Sequence, residues 1–236
     1  MFSTSGDHLE GKRISERYRI KSVIKWTEHT VFCVAEDLAN SQLIDLVLLD
    51  PSTIKNMASF KKQTQKKIAF DQRNLRRVLD ASQTADGEPF IAGERIARGE
   101  FARCLSKNEL SARQSVLLTV QIIDALLYLS KMAEPCFLPL PDILEFEDKG
   151  QNKSLKISTL QFVPGTLPDD SFCPEPLTLL ERAKYFPPEC IKGKKPDARS
   201  QAYVLACILY QLLSGHVPFE TDDLLELESQ HLCVQP

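Results

Sequence analysis

The apolar residues of this chain change their period once, and that change limits the folds open to it. Up to about residue 95 they come in short runs rich in β-branched and aromatic side chains, at residues 18–24, 30–35, 43–49, 75–79 and 89–93. Polar turns separate them, Ala85-Asp86-Gly87 being the plainest. Turns this short predict antiparallel pairing, because parallel strands need long crossovers. One basic, weakly amphipathic stretch, residues 60–70, interrupts the strands and predicts a helix.

After Gly99 the spacing becomes helical. Residues 100–105 predict a short helix and 111–129 a long one, with Val116, Val120, Ile123 and Leu127 recurring at helical intervals. A proline-broken stretch at 135–141 precedes two short strands, 142–146 and 155–159, around a Lys149-Gly150 turn. Residues 164–188 hold six prolines and read as a loop. Residues 200–214 are apolar on nearly every face, which predicts a buried central helix capped by Gly215 and stopped by Pro218. The expected fold class is therefore α+β and two-lobed. A polar arm spans 1–17, a five-stranded antiparallel sheet with one helix spans 18–97, and a mainly helical lobe spans 98–236.

Composition excludes several function classes. Across 236 residues, 43% are hydrophobic and 26% charged, as in an ordinary globular protein, and the net charge of −3 provides no global attraction to nucleic acid or anionic membrane. Apolar stretches such as 202–213 are too short and too mixed to span a bilayer. Residues 2–17 are polar and lack a signal-peptide core, so a cytoplasmic location is expected. Seven scattered cysteines form no C-x-x-C pair, and no histidine stands at zinc-ligand spacing beside them, so no metal is expected and the thiols read as small buried groups.

Several local strings resemble the protein kinase family, most closely bacterial Ser/Thr kinases. Glu16-Arg-Tyr-Arg-Ile20 resembles the opening of that family's first strand, and Val34-Ala-Glu-Asp37 the end of its second. Phe186-Pro-Pro-Glu189 is similar to the A-P-E that closes the activation segment. Asp197-Ala-Arg-Ser-Gln-Ala-Tyr-Val-Leu205 resembles the D-x-R-S-D-x-Y-S-L start of the central helix. Leu209-Tyr-Gln-Leu-Leu-Ser-Gly-His-Val-Pro-Phe219 matches L-Y-x-L-L-x-G-x-x-P-F at each fixed position. The resemblance runs from about residue 16 to 234 and implies a two-lobed protein-kinase-like fold.

Phosphoryl transfer in this family depends on a small set of charged groups and a glycine-rich loop. The loop position here is Lys25-Trp-Thr-Glu-His-Thr30, and no glycine occurs between Gly11 and Gly87. The resemblance places Leu46 at the phosphate-gripping lysine and Gln63 at its helix glutamate. It places the H-R-D triplet on Cys136-Phe137-Leu138 and the metal-binding asparagine on Ile143. A one-residue shift gives Phe137 and Asp142 instead, and neither register supplies the base. D-F-G falls on Thr159-Leu160-Gln161, and the central-helix aspartate is Gln201. The family's catalytic positions are thus degenerate at Leu46, Gln63, Leu138, Ile143, Thr159 and Gln201. No catalytic, cofactor-binding or metal residue is expected.

The leftover candidates are ordinary. Lys25 reads as a solvated strand-end lysine, Asp142 lacks further oxygen ligands for a metal, and Cys136 has no flanking cation to lower its pKa. The basic run Lys61, Lys62, Lys66, Lys67, Arg73, Arg76 and Arg77 reads as a solvated face. The family's last two helices have no counterpart before Pro236, so either a fragment of a longer protein or a shortened C-lobe with its lower core covered by something else is expected, with self-association through that lobe and a Glu189 without its family arginine unless Arg199 or Arg182 stands in. The resulting reading is a pseudokinase that acts as a scaffold or allosteric partner of a protein, an active kinase being one candidate. The alternative is a weak Ser/Thr kinase or ATP-binding sensor using substitute residues.

Overall fold

A computed structural model describes residues 9–27, 29–54, 56–84, 86–96, 100–107, 109–147, 154–159 and 178–235. The chain forms two compact units. The first comprises Met1–Asp71, Leu75–Arg95 and Ser158–Pro176; the second comprises Gln72–Asn74, Ile96–Ile157 and Leu177–Pro236. The fold is α+β, with an antiparallel sheet in the N-terminal part and helices after it.

The first unit is built on strands β1 (Arg13–Ile14), β2 (Tyr18–Trp26), β3 (Thr30–Asp37), β4 (Gln42–Leu49), β5 (Val78–Gln83) and β6 (Pro89–Glu94). They form one sheet in the order β1-β2-β3-β4-β6-β5, every pair antiparallel. Alternation gives it two apolar faces. One buries Tyr18, Val31, Cys33, Leu46, Leu48 and Phe90 among others. The opposite face buries Phe32, Val47, Leu49 and Ile91 against Phe60 of α1 (Met57–Ile68). Asn56 caps that helix by accepting from the Ser59 N–H at 3.0 Å.

Six strands stand where periodicity predicts five. The additional strand, β1, is two residues long, too short to carry a pattern, yet its Ile14 is fully buried in the first apolar face. The β5–β6 hairpin turns through Gly87, whose φ of +82° suits a residue without a Cβ.

The second unit contains α2 (Glu100–Lys107), α3 (Ala112–Lys131), a 3-10 turn at Pro141–Ile143, a hairpin of β7 (Leu144–Glu147) and β8 (Ser154–Ile157), then α4 (Leu179–Ala183), α5 (Pro188–Ile191), α6 (Ala198–Ser214) and α7 (Leu224–Cys233). The long helices start at side-chain caps. Ser111 and Gln114 form a reciprocal capping box on α3, and Asp197 accepts from the Arg199 N–H at 2.8 Å on α6. Gly215 ends α6 with a φ of +87°, the left-handed cap expected from sequence. Asn74 ties β8 down: its Nδ2 donates to the Leu155 carbonyl at 2.8 Å, and its carbonyl accepts from the Ile157 N–H at 2.8 Å.

Three sequence expectations for this unit are corrected. Two short helices, α4 and α5, stand after residue 178 where prolines suggested loop; residues 160–177 of that stretch lie outside the described ones. α6 is not buried all round: Val204, Leu205, Ile208 and Leu212 face inward, but Ala202 and Ala206 are exposed and Leu213 is 48% exposed. α3 buries Leu118, Ile122, Ala125, Leu126 and Leu129, so the stripe singled out by periodicity, Val116, Val120, Ile123 and Leu127, lies outside. Both helices carry apolar residues on more than one face, and period alone does not choose the inner one. By length and composition alone α3 is also apolar enough to cross a membrane, unlike the shorter stretches noted from sequence, and its inner face packs on the unit.

Candidate functional site

The positions that carry phosphoryl transfer in the resembled family are divided between the units, and each set is described within its own. In the first unit, Leu46 lies on β4 between Cys33 of β3 and Ala92 of β6. Its side chain is fully buried in the apolar face that also holds Val31, Leu48 and Phe90, with Trp26 packed against it. The cluster is apolar apart from the Tyr18 hydroxyl, which is already committed to Asp80 Oδ2 at 3.0 Å.

The turn after β2 is equally occupied with itself. The Thr27 N–H donates to the Thr30 carbonyl at 2.9 Å, the Thr30 N–H donates to Thr27 Oγ1 at 2.9 Å, and the two hydroxyls lie 2.7 Å apart. The His29 N–H points to the same Thr27 oxygen at 3.4 Å. A phosphate cradle needs backbone N–H groups turned outward; these three are turned inward. Glu28, in the middle of this turn, lies outside the described residues.

On α1, Gln63 Nε2 donates to Ser59 Oγ of its own helix at 3.2 Å. One turn later, Lys67 is 3% exposed and its Nζ donates to the carbonyl of Thr159 at 2.9 Å. The resemblance aligns Thr159 with the metal-binding aspartate; the lysine ammonium is bound to the main chain of that residue, and its side chain is a hydroxyl rather than a carboxylate. Leu160 and Gln161 lie outside the described residues.

Sequence reasoning missed a buried ionic group on the same unit. Asp45, the one charge within the apolar run of β4, is buried and accepts from the Arg76 guanidinium and from Arg95 Nη1 at 3.1 Å. Arg76 Nε also donates to the Glu94 carbonyl at 2.9 Å. Lys67 and Arg76 are thus buried members of the basic run that sequence read chiefly as a solvated face. A lone acid inside an apolar strand was the available signal, since buried charges require partners.

In the second unit, the residue aligned with the catalytic base is Leu138 in one register and Phe137 in the other. Leu138 is partly buried and Ile143 fully so. Gln201 of α6 donates from Nε2 to the Phe137 carbonyl at 3.0 Å. An aspartate there accepts from backbone N–H groups; the amide instead donates to a carbonyl, so the brace persists with its polarity reversed. Asp142, the carboxylate of the shifted register, has a side chain only 1% exposed and is held by Arg182 of α4 at 2.8 Å. Cys136 is exposed, and partial desolvation by its neighbours raises its thiol pKa rather than lowering it.

Glu189 on α5 accepts from the Ser200 hydroxyl. Arg182 pairs with Asp142, and Arg199 with its own cap residue Asp197 at 2.9 Å while still feeling the Glu189 charge, so the hydrogen bond to this glutamate comes from a serine. A cavity of about 360 Å³ lies between α2, α4 and the end of α6. Its polar walls pair with each other: Tyr185 donates to Gln211 Oε1 at 2.6 Å, and Lys184 to Glu220 Oε1 at 3.2 Å. Among the described residues no three His, Cys, Asp or Glu side chains converge as a metal site.

No family model matches the sequence. Among curated proteins, the chain is 26% identical over 238 residues to the serine/threonine-protein kinase pkn3 of Myxococcus xanthus, covering 98% of this chain and 43% of that protein. The chain is kinase-like. This kinase-like chain is also 29% identical over 140 residues to the 3-phosphoinositide-dependent protein kinase 1 of Arabidopsis thaliana, covering 56% of this chain and 28% of that one. It is 41% identical over 54 residues to the serine/threonine-protein kinase PknB of Mycobacterium tuberculosis, covering 23% of this chain and 9% of that protein. The chain spans less than half the length of each of these relatives.

Proposed function

We propose that this kinase-like domain transfers no phosphate and works in the cytoplasm by binding another protein, as a pseudokinase scaffold or allosteric partner. The observation that carries the reading is the fully buried Leu46 at the position aligned with the phosphate-gripping lysine, packed in a mainly apolar cluster. The self-bonded turn after β2, the Lys67 ammonium at Thr159 and the Arg182-bound Asp142 support it from independent positions. Losing one such charged group lowers the rate by roughly 10²–10⁵-fold.

Thermal denaturation with and without ATP and Mg²⁺ tests this. A ligand present at about 100 times its Kd stabilises the native state by about 2.7 kcal/mol, a shift of roughly 5–10 °C for a chain of this size. No shift is expected; a shift of that size rejects the reading.

The names of the relatives favour a second reading, a weak Ser/Thr kinase or ATP-binding sensor with substitute residues. It requires a cation to reach the phosphates. Lys67 meets that need only by leaving its buried bond to Thr159, so Lys67→Met abolishes any residual transfer under this reading and changes nothing under the first.

A further inference from the structure

The second unit exposes an apolar face on α3 and, on α7, two leucines that match it in spacing among side chains of opposite charge. On α3, Val116, Val120, Ile123 and Leu127 form a stripe 39–56% exposed, and Leu117 widens it at 52%. Exposed Arg113 and Lys131 stand at its two ends, with Asp124 alone between them. α7 buries Leu227 and His231 and leaves Leu225 at 76% and Leu232 at 37%. Those two leucines are seven residues apart, the interval that separates Val116 from Ile123 and Val120 from Leu127. Glu226 is exposed beside them and Asp222 and Asp223 precede them. Contiguous apolar patches of this kind on a soluble protein mark places where something docks.

We propose that the α3 stripe receives α7 of a second copy of this chain, so that copies join head to tail. Charge selects this pairing over a two-fold one. Two α3 stripes packed antiparallel would set Arg113 of each copy against Lys131 of the other, like charge on like at both ends. α7 instead brings carboxylates to a face whose ends are cationic, while its leucines meet the valine, isoleucine and leucine knobs at equal spacing. A net charge of −3 gives little repulsion between copies. Because the two faces differ, the contact is heterologous and extends into rings or filaments rather than closing as a dimer. The proposal names a partner for the protein-binding reading above, but it does not depend on loss of catalysis: nucleotide binding leaves it intact, and a monomer leaves the pseudokinase reading intact.

Sedimentation velocity of the whole chain and of two surface variants, Ile123→Glu on α3 and Leu225→Lys on α7, tests it. Wild type should show species beyond the dimer that grow with concentration. Each variant alone should be monomeric, since every copy then lacks one half of the contact, with its far-UV circular dichroism unchanged. Mixed in equal amounts, the variants should form a one-to-one dimer, since one retains an intact α7 and the other an intact α3. A monomeric wild type, a wild type that stops at dimer, or a mixture that forms no dimer would each overturn the proposal.

Discussion

Leu46 in the first unit and Gln201 in the second both stand where the resembled family keeps a charged group, and their surroundings accommodate the change differently. Around Leu46 the replacement is apolar and complete: β3, β6 and Trp26 close on it. Around Gln201 the replacement is polar: the amide still braces the loop, by donating to Phe137 where an acid would accept. Asp142 and Arg182 add a paired charge beside that loop rather than an open carboxylate. The aligned position in the sheet unit is packed among mainly apolar side chains, whereas the one in the helical unit keeps a polar contact to the chain, made as a donor. Restoring the family residue should therefore be costly in the first unit and mild in the second.

The largest effect should come from Leu46→Lys. It puts an ammonium into a fully buried, mainly apolar cluster, at a cost of about 3–5 kcal/mol or more. Urea denaturation should show the loss, with no ATP binding gained; a stable variant that binds ATP would erase the contrast between the units. Next comes Arg182→Ala, which strands the buried Asp142 carboxylate and should cost about 3 kcal/mol by the same measurement. Gln201→Asp, although it restores the family residue, should cost only about 1–2 kcal/mol, because a carboxylate cannot donate to the Phe137 carbonyl. A stabilised Gln201→Asp variant would mean that the loop keeps the ordinary polarity.

The smallest effect concerns α7. His231 is buried, with Nδ1 2.7 Å from the Tyr203 hydroxyl and its ring edge-on to Phe219 at 4.9 Å. Burial lowers its pKa, so the folded state favours the neutral ring. Its contribution is therefore complete above the ordinary histidine pKa of about 6.5 and declines as pH falls below it. Stability measured across that range should slope downward toward acid, and His231→Phe should flatten the slope.

Much of this arrangement was legible in the sequence where local chemistry speaks. Ser111, Asp197 and Gly215 mark helix ends by their capping groups, and the runs that became β2, β3, β4 and β6 carry their own strand pattern. Less was legible where tertiary packing decides. Periodicity found the 116/120/123/127 stripe on α3 but not that the helix turns its other apolar face, Leu118 to Leu129, inward. The Asp45–Arg76 pair joins residues 31 apart, and the Gln201–Phe137 brace residues 64 apart. At the positions aligned with the family's catalytic groups, the resemblance gave only residue types; that Leu46 is buried and Asp142 is paired needed the packing.

The central claim is the proposal that this kinase-like domain holds no ATP. Titration calorimetry of ATP with Mg²⁺ into the whole chain tests it most directly. The account predicts no saturable heat, with any Kd weaker than about 1 mM, or about −4 kcal/mol of binding free energy. Stoichiometric binding with a micromolar Kd would contradict it.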